Sequence, residues 1–470
     1  MQKPTQPDGL PARLGLFDAV SIIVGIVVGT SIFRAPPQVF SNVSGPWMGL
    51  GLWALGGALS FVGALCYAEL ATTYPRIGGD YVYLSRAFGR WMGFLFGWAQ
   101  LTVILTGSIG VMGYAFADYA VPLFALDARW TPWLAAGAVA ALTLLNLGGI
   151  VFGKAAQNIL TVAKVLGLTG IVIAGFLWGD GSWETQQPMN GPGLGLAMVF
   201  VLYAYGGWND AAFVAAEVRH RERNIPLALL LGTTGITLIY LLVNAAYLVG
   251  LGFEGVRASS APAADLMQKT VGPWGGKAIS ILVMISALGA INGLIFTGAR
   301  VYAAIGAEHR LFALLGRWSQ RADAPVWSLV AQGVVTLGLI VKVGTESGRN
   351  AIDATLQLVG LNGLPWDDYY GGFNTLVAGT APVFWLFFLL TGISLFVLRW
   401  KDADLPRVFT TPLYPLTPLV FCATCVYMLY SSLTYAGSLS LIGVVPLAVG
   451  LPLYWLSRGA DPNHTAAKTN

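Results

Sequence analysis

Charge is what this 470-residue sequence has least of. Asp, Glu, Lys and Arg make up 10% of it, against 56% for the hydrophobic residues, and the mean hydropathy is +0.68. A soluble domain carries roughly a quarter charged residues, so that class is excluded. Cysteine and histidine are as scarce, at three each. Cys66, Cys422 and Cys425 fall in apolar runs and give neither a disulfide framework nor a zinc spacing; His220, His309 and His464 lie far apart. No metal site and no cofactor is expected. Ionisable residues within the apolar runs are too few and scattered to supply a nucleophile with its base or a pair of acids, which argues against a membrane-embedded enzyme.

Long apolar sequence is what the chain has in abundance. A spanning helix needs about 20 mostly apolar residues. About twelve such segments can be read, near 15–40, 47–74, 91–120, 131–150, 156–178, 193–217, 227–252, 274–304, 326–343, 374–398, 413–433 and 439–457. The expected fold class is therefore an all-α polytopic membrane protein. Lys3 and Arg13 precede the first run as in a signal peptide, but the run is too long and no small-x-small site follows Phe33. It is read as the first span. Lys and Arg divide unevenly between alternate loops, with eighteen on one side and seven (Arg34, Arg129, Arg257, Lys269, Lys277, Lys342 and Arg349) on the other. The positive-inside rule puts the richer side in the cytoplasm, together with the tails 1–13 and 458–470. The net charge of +4 follows from that topology and gives no reason to expect a nucleic-acid partner.

Most of the 59 glycines suit close helix packing, as in Ala-Leu-Gly-Gly-Ala-Leu at 54–59. Two places differ. Gly25-Ile-Val-Val-Gly29-Thr30-Ser31 lies midway through segment one, and Tyr203-Ala204-Tyr205-Gly206-Gly207-Trp208-Asn209 midway through segment six. Both combine helix-weakening glycine with polar side chains at membrane depth, where a broken backbone is tolerated only if buried in protein or lining a cavity. Segments one and six begin successive groups of five, an odd number, so the two groups have opposite orientation. Paired interruptions in inverted repeats point to a substrate site near the midplane. The N–H groups opening a half-helix suit a carboxylate, and the carbonyls ending another suit an ammonium. An α-amino acid carries both.

The chain resembles the amino acid–polyamine–organocation superfamily, and within it the L-type amino acid transporters and their bacterial relatives. The likeness covers about 14–457. Besides GIVVGTSIF (25–33) and YAYGGWN (203–209), it rests on CYAELATTYPRIGGDYVYLSRAFG (66–89), QNILTVAKVLG (157–167), ERNIPLAL (222–229), SALGAINGLIFTGARVY (286–302) and LRWKDADLPRVFTTPLYPLTPL (398–419). The resemblance implies two inverted five-helix repeats of the LeuT type, 14–178 and 193–398, followed by two further helices in 399–457. It implies secondary transport of amino acids by alternating access. The substrate carboxylate would meet Gly29, Thr30 and Ser31, and the amine would meet carbonyls at Val27, Tyr203 and Gly206, with Ala204 in the same break. Tyr203 matches an aromatic outer gate and Asn209 the polar residue past the second break. Ser108, Met112, Ser286 and Phe384 are candidates for side-chain selectivity, each open to a packing reading. Apolar and aromatic candidates, with Asp210 as the one acidic exception, favour neutral substrates.

Lys164 is the ionisable residue inside the fifth segment. An ammonium there costs at least ~2.5 kcal/mol, so it should face the interior and have a task. By resemblance it lies near the first break, as a fixed charge replacing a cation or as a proton carrier; snorkelling to the interface is the bland alternative. Exchange and proton coupling both stay open, as do a polyamine carrier, a transporter-like sensor and, more remotely, a channel. Glu69, Glu217 and Arg300 are read as salt-bridge partners near the cytoplasmic face, with inner-gate closure as the sharper role. Arg34 is read as snorkelling, or as attracting anions to an outer vestibule. Residues 344–373, containing Trp366-Asp367-Asp368-Tyr369-Tyr370, are expected to fold over the external mouth. The resemblance to the animal L-type transporters implies an ancillary glycoprotein bound through a cysteine in the loop after the third span; the matching loop here, 119–130, holds none, so no disulfide-linked ancillary subunit is expected, and a bacterial inner membrane is the expected location.

Overall fold

A computed structural model describes residues 12–181, 193–358, 360–366 and 371–457. Nearly all of both tails, and residues 367–370 of the long connection, lie outside the described residues. The helices are α1 (Leu16–Val27), α2 (Ser31–Ser41), α3 (Pro46–Thr73), α4 (Asp80–Phe88), α5 (Arg90–Ala99), α6 (Leu105–Leu123), α7 (Thr131–Leu147), α8 (Ile150–Trp178), α9 (Leu194–Ala204), α10 (Arg221–Ala258), α11 (Pro262–Val271), α12 (Trp274–Glu308), α13 (Val326–Gly344), α14 (Glu346–Leu358), α15 (Gly371–Lys401), α16 (Leu416–Ala436) and α17 (Leu441–Ser457).

Among the described residues nine helical stretches are long and apolar enough to cross a membrane, and α1 with α2, bent by 51°, makes a tenth. One of the nine, Leu416–Ser457, crosses twice. It reverses at Gly437, whose φ of +51° is left-handed. Its two ends then return to one face, Thr417 following Thr411, whose N–H bonds Glu69, and Tyr454 stacking on Phe94 and His309. The remaining span is α9 continued by a 3₁₀ stretch, Trp208–Glu217, too irregular to register as one helix. The count reaches the twelve expected from the sequence.

Basic side chains gather at one face, called here the basic face. Arg13 pairs with Asp323 at 3.0 Å, Arg86 with Asp402, and Arg399 and Arg407 with Glu69. Leu14, just before α1, bridges Val218 at the end of the 3₁₀ stretch, with Leu14 N–H donating to Glu217 and Arg219 N–H to Leu14. The chain therefore leaves this face through α1 and returns to it through the 3₁₀ stretch.

Small residues set the packing as expected. A Cβ on Gly57 would lie 2.4 Å from Thr237 of α10, and one on Gly56 2.2 Å from Val201 of α9, so α3 can approach both only as glycine. The connection 344–373 packs onto the bundle through its middle and at its end, where Phe373 lies beside Arg34. Part of it forms α14, and Leu356 and Leu364 pack with Ala378 and the α16–α17 turn (Ala436, Leu439). Asp353 fixes this arrangement by accepting from Leu364 N–H and Trp366 Nε1. None of its described residues lines the central cavity.

Candidate substrate site

Both anticipated interruptions are present. α1 stops at Val27, Val28 turns away with ψ 69°, and α2 starts at Ser31. α9 stops at Ala204, and Gly207 at φ +105° starts the 3₁₀ stretch. That φ is one that L side chains rarely adopt, and a Cβ there would also sit 2.7 Å from Ile26 Cγ2. The glycine thus permits both the turn and the close approach of the two broken spans.

Buried side chains hold the broken ends. The Lys164 ammonium donates to the carbonyls of Gly25 (2.7 Å), Val28 (2.6 Å) and Ser286 (3.1 Å). A lysine has three donors, and all are used. A cation at the carbonyl end of α1 also complements the helix dipole. The Ser286 hydroxyl lies 2.8 Å from both the Val28 and Gly29 carbonyl oxygens. Tyr240 of α10 places its hydroxyl 2.9 Å from the Val27 oxygen and 3.0 Å from that of Ala204. One phenol therefore ties the ends of α1 and α9 together.

The breaks border a cavity of about 960 Å³, counting the solvent space it opens to. Val27, Gly29, Ser31, Ser108, Met112, Tyr203, Ala204, Gly206 and Phe384 all line it. Three candidates do not. Ser286 is fully buried behind the first break, as above; Thr30 is fully buried with its hydroxyl unpartnered; Asn209 turns its amide to Asp210, 3.2 Å away. Lys164 likewise stands behind the break. The Val27 carbonyl is engaged by Tyr240 and by Gly29 N–H at 2.7 Å.

Sequence reasoning missed several lining residues, among them Gln100, Ile104, Leu294, Thr380 and Trp385. Gln100 opens a π-helical turn, Gln100–Ile104, between α5 and α6. Such turns recur at functional sites, but no sequence signal marks this one.

Ion pairs tie the helices around the cavity to one another on both sides. Towards the basic face Arg300 grips Glu217 through Nε (2.8 Å) and Nη2 (3.2 Å), both side chains 2% exposed. Asp18 of α1 meets Lys154 and Asn158 of α8. On the other side the partly exposed Arg34 of α2 bonds Asp118 of α6 at 2.9 Å and lies over the Phe373 ring of α15. Glu69 takes a bidentate bond from Arg399, the salt-bridge reading.

Two broken membrane spans facing one central cavity, with a buried ion pair, Arg300–Glu217, towards the basic face, define a multi-pass membrane transporter. The chain belongs to the amino acid permease family, whose pattern it matches over residues 14–455. It is 30% identical to human b(0,+)-type amino acid transporter 1 over 86% of this chain and 79% of that protein. It is also 30% identical to human Large neutral amino acids transporter small subunit 2, over 95% of this chain and 80% of that protein, and to its mouse counterpart over 95% and 81%. The protein is an integral membrane transporter of amino acids, not an enzyme.

Proposed function

We propose that the substrate is an α-amino acid held by main-chain atoms at the two breaks and moved by alternating access, in exchange for another amino acid. The observation that carries this is the pair of unwound segments on one cavity, with Gly29 and Ser31 at the start of α2 on its wall. N–H groups opening α2 lack intrahelical partners and suit the carboxylate; the carbonyls around Tyr203 and Gly206 suit the amine. Ser108, Met112 and Phe384 then border the side chain, and neutral substrates fit the mostly apolar lining and the name of the second relative.

Residues 14–178 and 193–398 are the two inverted repeats in this reading, supported by the opposite directions of α1 and the 3₁₀ stretch relative to the basic face. The basic face is cytoplasmic, by the Lys and Arg bias. The carrier works in a cell membrane, a bacterial inner membrane in this reading, without a disulfide-linked subunit. Lys164 serves as a fixed charge, because its three donors are committed to carbonyls.

The test is uptake of labelled neutral amino acids into proteoliposomes, empty or preloaded, with and without an inward proton gradient. Uptake that requires internal amino acid supports exchange. Gradient-driven uptake into empty vesicles replaces it with proton symport, and binding without flux would make the protein a sensor.

A further inference from the structure

The first broken span is held along its length as well as at its end. Gln157, Thr161 and Lys164 form one row on α8, and the row addresses carbonyls of matching spacing on α1, those of Ser21, Gly25 and Val28. Gln157 Nε2 lies 3.3 Å and Thr161 Oγ1 3.0 Å from the Ser21 oxygen, and Lys164 takes the other two. To this row α1 offers main-chain acceptors. Gly25 lies inside α1 and not in the break, and a Cβ there would come 1.9 Å from Gln157 Nε2 and 2.6 Å from Thr161 Oγ1. Glycine is what lets the row close on the helix.

Behind Gln157 two more amides carry the contact across the bundle. Asn292 of α12 donates to Gln157 Oε1 at 2.9 Å and to the Gly153 carbonyl at 3.0 Å; Asn146 of α7 donates to Asn292 Oδ1 at 2.8 Å and to the Leu142 carbonyl at 2.9 Å. All three amide side chains are buried, and none lines the cavity. A carbonyl oxygen can only accept, so those of Ser21, Gly153 and Leu142 each decide which way one amide faces. The three agree on a single direction of donation, from α7 through α12 and α8 to α1.

We infer that Asn292 is a positioning residue for the substrate site: by aiming Gln157 it fixes the register of α1 on α8, and with it the height at which Gly29 and Ser31 meet the substrate. This rests on the zwitterion reading of the two breaks. Helix carbonyls recur on one face at every turn, so Thr161 and Lys164 alone address acceptors that a sliding α1 would keep presenting. Gln157, tied to α12 and through it to α7, is the fixed reference. A register error displaces main-chain groups that meet the part every amino acid shares, and leaves Ser108, Met112 and Phe384 in place on α6 and α15. Affinity should then fall alike for all substrates.

The test is the KM of exchange for labelled leucine and for labelled alanine in preloaded proteoliposomes, with thermal unfolding in detergent alongside. Asn292→Leu and Gln157→Leu should each raise both KM values about fivefold, the worth of one hydrogen bond, with the leucine-to-alanine ratio and the maximal rate largely kept. Asn292→Asp keeps the shape, but its carboxylate has no donor for Gln157, so it should behave like Asn292→Leu; a space-filling role predicts a mild effect instead. The double variant N292L/Q157L should be no worse than either single one, because both cut the same chain. Thr161→Val, which removes a bond to Ser21 without a change of size, should raise both KM values in the same sense and decides the matter if the larger changes prevent folding. Unchanged KM values in folded variants, a lowered unfolding midpoint with KM intact, or a shifted leucine-to-alanine ratio each overturn the inference. Those outcomes leave the zwitterion site standing, whereas wild-type protein that neither binds nor exchanges any amino acid sinks that site and the positioning role together.

Discussion

The Lys164 ammonium lies 2.6 Å from the Val28 carbonyl oxygen, at the point where α1 unwinds. The contact closes the helix from outside the cavity, so the lysine shapes the site without lining it. Lys164→Met should therefore abolish exchange while leaving buried carbonyls of Gly25, Val28 and Ser286 short of donors, at about 1–3 kcal/mol for each group left unsatisfied. The measurement is uptake together with thermal unfolding in detergent. Full activity in K164M would show that the break holds without it.

Tyr240→Phe removes the one hydroxyl shared by Val27 and Ala204. The ring still packs between Trp53 and Tyr205, so folding should survive, with a loss of about 1–2 kcal/mol. Exchange should slow roughly tenfold, as expected if the two broken spans must stay in register. Apparent affinity and maximal rate, measured separately, report whether the site or the cycle is affected.

Gly207→Ala places a Cβ on a left-handed residue, 2.7 Å from Ile26 Cγ2. Backbone strain of about 1–3 kcal/mol adds to the clash. Uptake should be lost in protein that still purifies as a monodisperse species; Gly235→Ala, where a Cβ meets nothing within 4 Å, is the control.

Glu217→Gln leaves Arg300 charged and half-paired in a site where both side chains are 2% exposed. Breaking a buried pair by removing one partner costs about 3–5 kcal/mol. The unfolding midpoint should drop sharply, and a double variant with Arg300→Met should recover part of the loss.

His309, 5% exposed, sits at the end of α12 against the rings of Phe94 and Tyr454. Burial, with Arg90 adding the same effect, lowers its pKa from 6.5 to about 4. The unfolded chain thus binds a proton that the folded chain refuses between these values. Stability is complete above pH 6.5 and falls as pH drops towards 4, by up to about 3 kcal/mol. Unfolding midpoints measured from pH 7.5 to 4 should flatten in His309→Phe; an unchanged slope would assign the effect to other groups.

The spans were legible because bilayer thickness imposes a length that sequence cannot hide. The breaks were legible because Gly29, Thr30 and Ser31, or Gly206 and Gly207, are costly at that depth unless used. Lys164 announced itself in the same way. What could not be read were partnerships across the bundle. Ser286 was a lining candidate, yet its hydroxyl turns behind the first break; Arg34 finds Asp118 on another helix; Tyr240 is one of 18 tyrosines with nothing nearby to distinguish it. α14 is not legible in the sequence because its 13 residues, ESGRNAIDATLQL, are too polar for a span.

The π-helical turn at Gln100–Ile104 works as a swivel in the wall. On an unbroken α-helix Ser108 would lie within about 40° of Phe94 around the axis, and so would face α17, where Phe94 stacks on Tyr454 and Trp98 bonds the Pro446 carbonyl. The extra residue turns everything beyond it by about 100°. A single span can then grip the peripheral helix with its first half and present Ser108, Val111 and Met112 to the cavity with its second. Deleting one residue from that turn would swing those three away from the cavity together, leaving every side chain chemically intact and none of them on its wall.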